Sequence, residues 1–268
     1  MPDILAKIIR YKNKVIAQDQ VKIPLQAMKE LAHQAPLPRN FFKAVTQPTK
    51  HFRIIAEVKK ASPSAGIIRQ DFDPVQIAKN YQAHGAAAIS CLTDEKYFQG
   101  SLAYIQQIKN AVELPIIRKD FIIHPYQLYQ ARAAGADAVL LIAECIPNDS
   151  LLVDLLILAS ELKLTVLLEV HSMDNLLRVR PHIGFPNPNM LLGINNRDLK
   201  AMVTDINQTL RLADYVEDKS ILISESGIRT HQDLQKLSQH GIGCALVGEH
   251  LIRQPHEGLA LRKLLATD

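Results

Sequence analysis

The sequence predicts an α/β protein in which eight β-α units close into a barrel, and three observations support this prediction. Segments long enough for a helix separate the strand-like runs, and several of them have a period near 3.6. The length of 268 residues suits such a barrel in one domain. Uninterrupted apolar runs are typical of parallel strands covered on both faces. These runs occur eight times, at 52–58, 87–92, 114–117, 137–142, 165–170, 191–194, 221–224 and 244–248.

The rival arrangement is an open, doubly wound sheet. Such a sheet usually carries Gly-x-Gly-x-x-Gly after its first strand, and no such motif occurs here. Three predicted helices instead end at Gly85, Gly135 and Gly241, each just before a strand-like run. Glycine past a helix end supplies the left-handed residue that turns the chain back towards the sheet. We therefore predict the (β/α)8 arrangement of a TIM barrel.

The first 50 residues precede the first predicted strand. A second helical segment is expected to begin near Pro24, with Leu25, Met28 and Leu31 on one side. We predict that residues 1–268 form a single barrel domain, and that residues 1–50 are a helical extension packed on it as a lid or cap. The first helix is indicated by apolar residues at helical spacing, namely Ile4, Leu5, Ile8, Ile9, Val15 and Ile16.

Composition narrows the class of protein. Hydrophobic residues make up 47% and charged residues 22% of the chain, with a net charge of +4 spread along its length. We expect a cytoplasmic protein with no membrane span and no nucleic-acid surface. No metal-ligand motif is present, so no metal is predicted. Cys91, Cys145 and Cys244 are far apart in apolar surroundings, which favours buried, reduced thiols.

Charged and polar residues follow five of the apolar runs. Glu57 and Lys59 share one face of the first strand, since side chains alternate along a strand. Alone, this pair is best interpreted as a surface ion pair. Because the carboxyl ends of barrel strands carry active-site residues, the recurrence of such endings predicts a site there. The other endings are Arg118-Lys119-Asp120, Glu169, Asn195-Asn196-Arg197-Asp198 and Ser224-Glu225-Ser226-Gly227.

Six motifs in order along the chain resemble those of the indole-3-glycerol phosphate synthase family. They are Ile-Ala-Glu57-x-Lys59 with Ser62-Pro-Ser64, Ala88 to Ser101, Arg118-Lys-Asp-Phe-Ile122, Leu168-Glu-Val170, Gly193-Ile-Asn-Asn-Arg-Asp-Leu199 and Ser224-Glu-Ser-Gly-Ile228. The resemblance implies a carboxy-lyase of tryptophan biosynthesis that needs no cofactor. Its substrate would be 1-(2-carboxyphenylamino)-1-deoxyribulose 5-phosphate, closed to indole-3-glycerol phosphate with loss of carbon dioxide and water.

The resemblance also implies roles for residues at matching positions. Lys119 stands where the family has its general acid, and Glu169 matches the base of the dehydration step. Lys59 resembles the second catalytic lysine, and Glu57 would hold it in place. Asn195 matches a polar position of the family. Its neighbour Arg197 suits the anthranilate carboxylate, because a guanidinium binds a carboxylate in two places.

The remaining candidates are expected to bind substrate. Ser62 would contact it, or would be a simple turn residue before Pro63. Glu225 would orient neighbouring polar groups, or would form a strand-end salt bridge. His250 departs from the family, which commonly has a small residue there; either it adds pH dependence, or only its backbone takes part. The phosphate position of such barrels would be formed by Ser226, Gly227, Gly248 and Glu249.

Burial at the predicted site would raise the pKa of Glu169 and lower that of Lys119, while neighbouring opposite charges would oppose both shifts. Two other functions stay open. One is a phosphosugar isomerase like phosphoribosylanthranilate isomerase, and the other is a non-catalytic barrel that binds a phosphorylated metabolite. We expect a monomer or weak homodimer, with association with other tryptophan-pathway enzymes left open.

Overall fold

Eight parallel strands form a closed barrel in the computed structural model, which describes residues 4–47, 49, 51–185, 187–197 and 203–266. The first strand pairs with both the second and the last, and this pairing closes the barrel. The predicted fold class is therefore confirmed, and the predicted runs match the strands to within two residues at each end. The strands are β1 Arg53–Val58, β2 Ala88–Leu92, β3 Ile116–Lys119, β4 Ala138–Ile142, β5 Thr165–Val170, β6 Met190–Asn195, β7 Leu222–Glu225 and β8 Cys244–Val247.

Helices surround the barrel and follow each strand. Short 3₁₀ turns occur at Ala143–Cys145, Arg180–His182 and Lys219–Ile221, and a small hairpin after β1 pairs Ala61–Ser62 with Gly66–Ile67. The helices are α1 Ile4–Lys22, α2 Leu25–Gln34, α3 Phe41–Thr46, α4 Pro74–Ala83, α5 Glu95–Phe98, α6 Ala103–Lys109, α7 Pro125–Ala133, α8 Asp149–Glu161, α9 Met173–Val179, α10 Asn207–Ala213, α11 His231–Gln239, α12 Glu249–Ile252 and α13 Glu257–Leu265. Within the part of the chain described, no helix is long and apolar enough to cross a membrane.

Local sequence sets where the helices begin and end. Asp73 caps α4 by accepting from the backbone N–H groups of the next turn, and Thr230 forms a capping box with Asp233 at the start of α11. Gly85, Gly135 and Gly241 follow α4, α7 and α11 with φ of +91°, +88° and +82°. The prediction that these glycines turn the chain back to the sheet is confirmed.

The barrel strands are buried on both faces, as their uninterrupted apolar runs predict. Cys91, Cys145 and Cys244 are buried and are not joined by a disulfide, as expected. Burial raises the pKa of the Cys91 and Cys244 thiols to about 12, so both remain protonated at neutral pH.

Helix α1 of the extension lies at the carboxyl end of the barrel. Its buried residues Ile8, Lys12 and Ile16 recur every four positions, so a lysine stands in the middle of an apolar stripe. The Nζ atom of Lys12 lies 2.7 Å from Asp94 Oδ2 and 2.6 Å from Asp120 Oδ1, just after β2 and β3. Burial alone would lower the pKa of Lys12, but these two carboxylates outweigh it and raise that pKa. The ion pairs hold α1 over the mouth.

Helix α2 begins at Leu25, as predicted, and packs on α7. Of the three residues predicted to lie on one side of this helix, Met28 is buried, whereas Leu25 is 39% exposed and Leu31 is 45% exposed. The buried residues of α2 are Met28 and Ala32, so its buried stripe is narrow. Polar contacts complete the attachment: the Tyr126 hydroxyl donates to the carbonyls of Asp19 and Ile23.

We predict that Lys12→Met lowers the free energy of unfolding by about 3 to 5 kcal/mol, because it leaves Asp94 and Asp120 buried without their shared cation. The measurement is denaturant unfolding at neutral pH. Lys14→Met is the matched control: Lys14 is exposed on the same helix, and its replacement should change stability by less than about 0.5 kcal/mol. Equal stability of the two variants would contradict the role given to Lys12.

Candidate active site

A cavity of about 500 Å³ opens at the carboxyl ends of the barrel strands. This volume is in the range of small-molecule sites. Residues from all eight barrel strands and the loops after them line it, and most of the predicted site residues are among them: Glu57, Lys59, Lys119, Glu169, Asn195, Arg197, Glu225, Ser226, Gly227, Gly248 and Glu249. The cavity is therefore the candidate active site.

Lys119 lies at the centre of the cavity floor, between two carboxylates. Its Nζ atom is 2.8 Å from Glu169 Oε2 and 2.5 Å from Glu225 Oε2. The two glutamates are almost fully buried, and the lysine side chain is 14% exposed. The structure thus brings together residues of β3, β5 and β7 that sequence analysis placed only at separate strand ends.

Charge pairing outweighs burial at Lys119 and at Glu169. Burial favours the neutral lysine, but Glu169, Glu225 and Glu57 raise the pKa of Lys119 well above its usual range. Burial likewise favours a protonated Glu169, but Lys119 and then His171 hold its pKa well below that range. Both shifts run opposite to those that desolvation alone would give.

Glu225 behaves differently from Glu169. One ammonium cannot neutralise two buried carboxylates, so burial and the charge of Glu169 raise the pKa of Glu225 to about 8. Glu225 therefore keeps its proton to a higher pH than an ordinary glutamate does, beside a charged Lys119 and a charged Glu169.

Two glycines make room for the carboxylates. A Cβ atom at Gly193 would stand 2.2 Å from Glu225 Oε1, and one at Gly248 would stand 2.2 Å from Glu57 Oε1. Gly248 was predicted as a phosphate-binding residue, but sequence analysis gave no role to Gly193. The available signal was a lone glycine inside an apolar strand, which often marks a close approach.

Glu57 and Lys59 are paired as the strand alternation predicts. Lys59 Nζ lies 2.7 Å from Glu57 Oε1, and both residues are buried. The Ser90 hydroxyl lies 3.5 Å from the other oxygen of Glu57. This pair is therefore an internal feature of the mouth and not the surface ion pair that the motif alone favoured.

Asn195 connects the base to the next loop. Its Nδ2 donates to Glu169 Oε1 at 3.2 Å, and its Oδ1 accepts from the Arg197 backbone N–H at 3.0 Å. Arg197 Nη2 in turn lies 3.1 Å from Glu249 Oε2, and Arg253 Nε lies 3.0 Å from Glu249 Oε1. Because two arginines occupy the Glu249 carboxylate, only its backbone is placed to meet an anion.

The loop after β7 turns sharply. Ser226 and Gly227 both have positive φ, +68° and +83°, and a Cβ atom at Gly227 would stand 2.7 Å from Thr204 Cγ2. Asn196, which received no role from the sequence, donates to the Ser226 carbonyl at 2.9 Å and to the Ser224 hydroxyl at 3.1 Å. It fixes the conformation of the predicted phosphate loop. Asp198 and Leu199 of the same motif lie outside the described residues.

Ser62 and His250 differ in how they relate to the cavity. Ser62 is buried but is not among the residues that line the cavity; its hydroxyl accepts from the Ala65 backbone N–H at 3.2 Å within the turn. This contact favours the turn interpretation. His250 does line the cavity. Burial, and then the charge of Arg229, lowers the pKa of its imidazole, so the ring stays neutral to a lower pH than an ordinary histidine. Among the described residues, no group of three His, Cys, Asp or Glu side chains could hold a metal ion.

Comparison with known proteins gives a consistent result. Residues 5–264 match the family model described as indole-3-glycerol phosphate synthase. Relatives of that name are 48% identical in Rhodopirellula baltica, covering 98% of this chain and 99% of the relative, and 44% identical in Acidithiobacillus ferrooxidans, with the same coverage. In Albidiferax ferrireducens the identity is 42%, over the whole of both chains. A crystal structure of 3-hexulose-6-phosphate synthase superposes with a TM-score of 0.61 at 13% identity, covering 80% of this chain and 98% of that one, which shows the barrel fold alone.

We predict that Gly193→Ala lowers the free energy of unfolding by about 1 to 3 kcal/mol, because its methyl group would displace the buried Glu225 carboxylate. Gly243→Ala is the control. No atom lies within 4 Å of the place that a Cβ atom of residue 243 would take, so stability should stay the same or rise by up to about 1 kcal/mol. Chemical denaturation compares the two variants, and a neutral Gly193→Ala would show that the strands separate freely around Glu225.

We also predict a pH-dependent stability component from Glu225. The unfolded glutamate has a pKa of about 4.3, whereas the folded one has a pKa of about 8, so the folded state binds the extra proton between these values. The stabilisation is complete below about pH 4 and is lost as pH rises through about 8, at up to about 1.4 kcal/mol per pH unit. Glu225→Gln should remove this slope.

Denaturant unfolding of the wild type and of Glu225→Gln from pH 5 to pH 9 measures the difference between their stability slopes. Glu169 does not interfere, because its depressed pKa places its contribution below that range. Glu161→Gln, an exposed substitution at the end of α8, should keep the wild-type slope. Parallel curves for wild type and Glu225→Gln would show that Glu225 is ionised throughout.

Proposed function

The chain belongs to the indole-3-glycerol phosphate synthase family, and we propose that its barrel mouth closes the indole ring of 1-(2-carboxyphenylamino)-1-deoxyribulose 5-phosphate. This reaction is that of a carboxy-lyase in tryptophan biosynthesis. The single observation that supports the assignment of residues is the position of Lys119, an acid held charged between Glu169 and Glu225 on the cavity floor. The chemistry needs an acid and a base close together, and these residues supply both.

Lys119 is the proposed acid of ring closure. The aryl carbon that bears the carboxylate attacks the ribulose carbonyl, and the ammonium gives a proton to the carbonyl oxygen as the new C–C bond forms. Carbon dioxide then leaves, and the electron pair of its bond returns to the ring. A proton donor placed in this way typically contributes ~10²–10⁴-fold to the rate.

Glu169 is the proposed base of dehydration. It removes a proton from the ring carbon next to the new hydroxyl-bearing carbon, the electron pair of that C–H bond forms the indole double bond, and the hydroxyl group leaves as water after receiving a proton. Lys59 is proposed to supply that proton. This role is supported by the position of Lys59, which lines the cavity with its Nζ atom 2.7 Å from Glu57 Oε1.

The anionic ends of the substrate are proposed to bind on the other side of the mouth. Arg197 would bind the carboxylate of the substrate and would give up part of its contact with Glu249. The phosphate would lie against the backbone N–H groups of Ser226, Gly227, Gly248 and Glu249. The positive φ of Ser226 and Gly227 supports this placement, since such turns point successive N–H groups to one side.

The other proposed roles support these groups. Asn195 orients Glu169 through its bond to Oε1, and Glu225 holds Lys119. A contact between Ser62 and substrate stays a prediction, because its hydroxyl is used within the turn. For His250, the cavity-lining position supports a role for the side chain in meeting the phosphate.

We further propose that residues 1–268 are one barrel domain with residues 1–50 as its extension. The contacts of Lys12 with the mouth and of α2 with α7 support this organisation. A cytoplasmic enzyme that works as a monomer or weak homodimer remains our expectation. An association with other tryptophan-pathway enzymes is part of the same proposal and would be tested by co-sedimentation.

Purified protein incubated with the carboxyphenylamino substrate should produce indole fluorescence, and Lys119 should be needed for it. We predict that Lys119→Ala and Lys119→Arg each lower turnover by at least about a hundredfold. Arginine keeps the positive charge between the carboxylates but cannot give up its proton, so it separates acid catalysis from charge.

Lys79→Ala, an exposed substitution on α4, is the control and should keep wild-type turnover. Circular dichroism verifies that each variant is folded. Absence of product from folded wild-type protein would overturn the function, and an active Lys119→Arg enzyme would remove the acid role from Lys119.

A further inference from the structure

A buried histidine lies behind Glu169, outside the cavity lining. His171 follows Glu169 by two residues, and its side chain is 8% exposed. Its Nε2 atom is 3.3 Å from Glu169 Oε1, and its Nδ1 atom is 3.1 Å from Glu144 Oε2. The imidazole ring therefore lies between two carboxylates. Nε2 is buried and has no hydrogen-bond partner among the described residues, and the Glu169 carboxylate lies 3.3 Å away from it.

Glu144 is held firmly in this arrangement. It belongs to the 3₁₀ turn after β4, and its Oε1 accepts from the His171 backbone N–H and from Asn175 Nδ2, both at 2.9 Å. Its Oε2 is left to face Nδ1. Because a carboxylate oxygen accepts hydrogen bonds, the 3.1 Å contact between Oε2 and Nδ1 is a hydrogen bond when Nδ1 carries the proton.

The proton on Nδ1 decides what Nε2 can do. If the ring were neutral, Nε2 would present a lone pair to a charged carboxylate oxygen at 3.3 Å, which is repulsive. If the ring is protonated, Nε2 presents an N–H to that oxygen. A charged Glu169 and a charged His171 therefore require one another.

This dependence matters most after the first proton transfer. Lys119 becomes neutral when it protonates the substrate carbonyl, so Glu169 loses the cation on its Oε2. A buried carboxylate without a cation takes up a proton, and a protonated Glu169 could not act as the base of dehydration. An imidazolium on the other oxygen would keep it ionised.

We propose that His171, held by Glu144, is a positioning residue that keeps Glu169 ionised through the reaction, and that turnover depends on the imidazolium form of His171. The inference rests on the proposed role of Glu169 as base. It assigns to the carboxyl ends of β4 and β5 a line of three groups, Glu144, His171 and Glu169, of which only the last lines the cavity.

The charged groups around His171 agree with this form. Glu144 faces it from the turn after β4, Glu169 from its own strand and Glu225 from β7, with Lys119 beyond the two glutamates. From α10, the Gln208 amide donates to the His171 backbone carbonyl, and from α9 the Asn175 amide donates to Glu144. Burial lowers the pKa of His171, but the bond to Glu144 and the three carboxylates outweigh burial and raise that pKa.

The first arm of the test is an NMR titration of the His171 ring, identified by its loss in His171→Gln. The wild-type ring should titrate above the usual histidine range, and Glu144→Gln should lower its midpoint by at least about one pH unit. His240→Gln, an exposed substitution at the end of α11, should leave the midpoint unchanged. This arm needs no turnover, so it stands even if the proposed function fails. An unchanged midpoint in Glu144→Gln overturns the proposal.

The second arm is the pH profile of kcat. Wild-type kcat should fall as pH rises through the His171 midpoint, and Glu144→Gln should move that fall to lower pH by the same amount as the NMR midpoint. His171→Gln should remove this limb and lower kcat at neutral pH by at least about tenfold, with KM within about threefold. His171→Asn serves the same purpose if the glutamine variant is unstable.

The double variant identifies the order of action. If Glu144 acts through His171, Glu144→Gln/His171→Gln should have the kcat of His171→Gln alone. Independent, multiplied losses would overturn the relation between the two residues. A His171→Gln enzyme that keeps the wild-type pH limb would overturn the dependence of Glu169 on the imidazolium.

Discussion

The ion pairs of the Lys119 ammonium with two buried carboxylates organise the whole mouth of the barrel. Glu169 and Glu225 are on different strands, and their burial would be unfavourable without a cation between them. The lysine neutralises one of them, so the other holds a proton near neutral pH. Charge balance within this group, more than burial of any one residue, therefore sets which side chain can give a proton and which can take one.

The neighbours of Lys119 on β3 connect this centre to the outside of the barrel. Since side chains alternate along a strand, Lys119 enters the cavity while Arg118 points away from it, towards α7. Arg118 donates to the Gln127 carbonyl and to Asp120, and Asp120 receives Lys12 from α1. The helical extension is thus attached one residue away from the proposed acid. Anchoring of α1 and alignment of Lys119 depend on the same three-residue segment.

Space around the charges is as specific as the charges themselves. Gly193 and Gly248 stand where any Cβ atom would strike Glu225 or Glu57. Both carboxylates can therefore lie within the sheet interior, close to the lysines they hold. Asn195 and Asn196 have different roles in this arrangement. Asn195 contacts the proposed base, and Asn196 fixes the turn of the proposed phosphate loop.

The sequence by itself determined the barrel, the order of its strands and the ends that carry chemistry, because these depend on local apolar periodicity, on glycine at helix ends and on motifs within one strand. Only the tertiary structure decided which charges meet. Lys119 reaches partners 50 and 106 positions further along the chain, and Lys12 reaches Asp94 and Asp120 across the mouth. It also showed Leu25 and Leu31 exposed, Ser62 engaged in its own turn and His171 behind the base. Which of these residues meet depends on how the strands close around the barrel axis, and a local sequence pattern does not specify that closure.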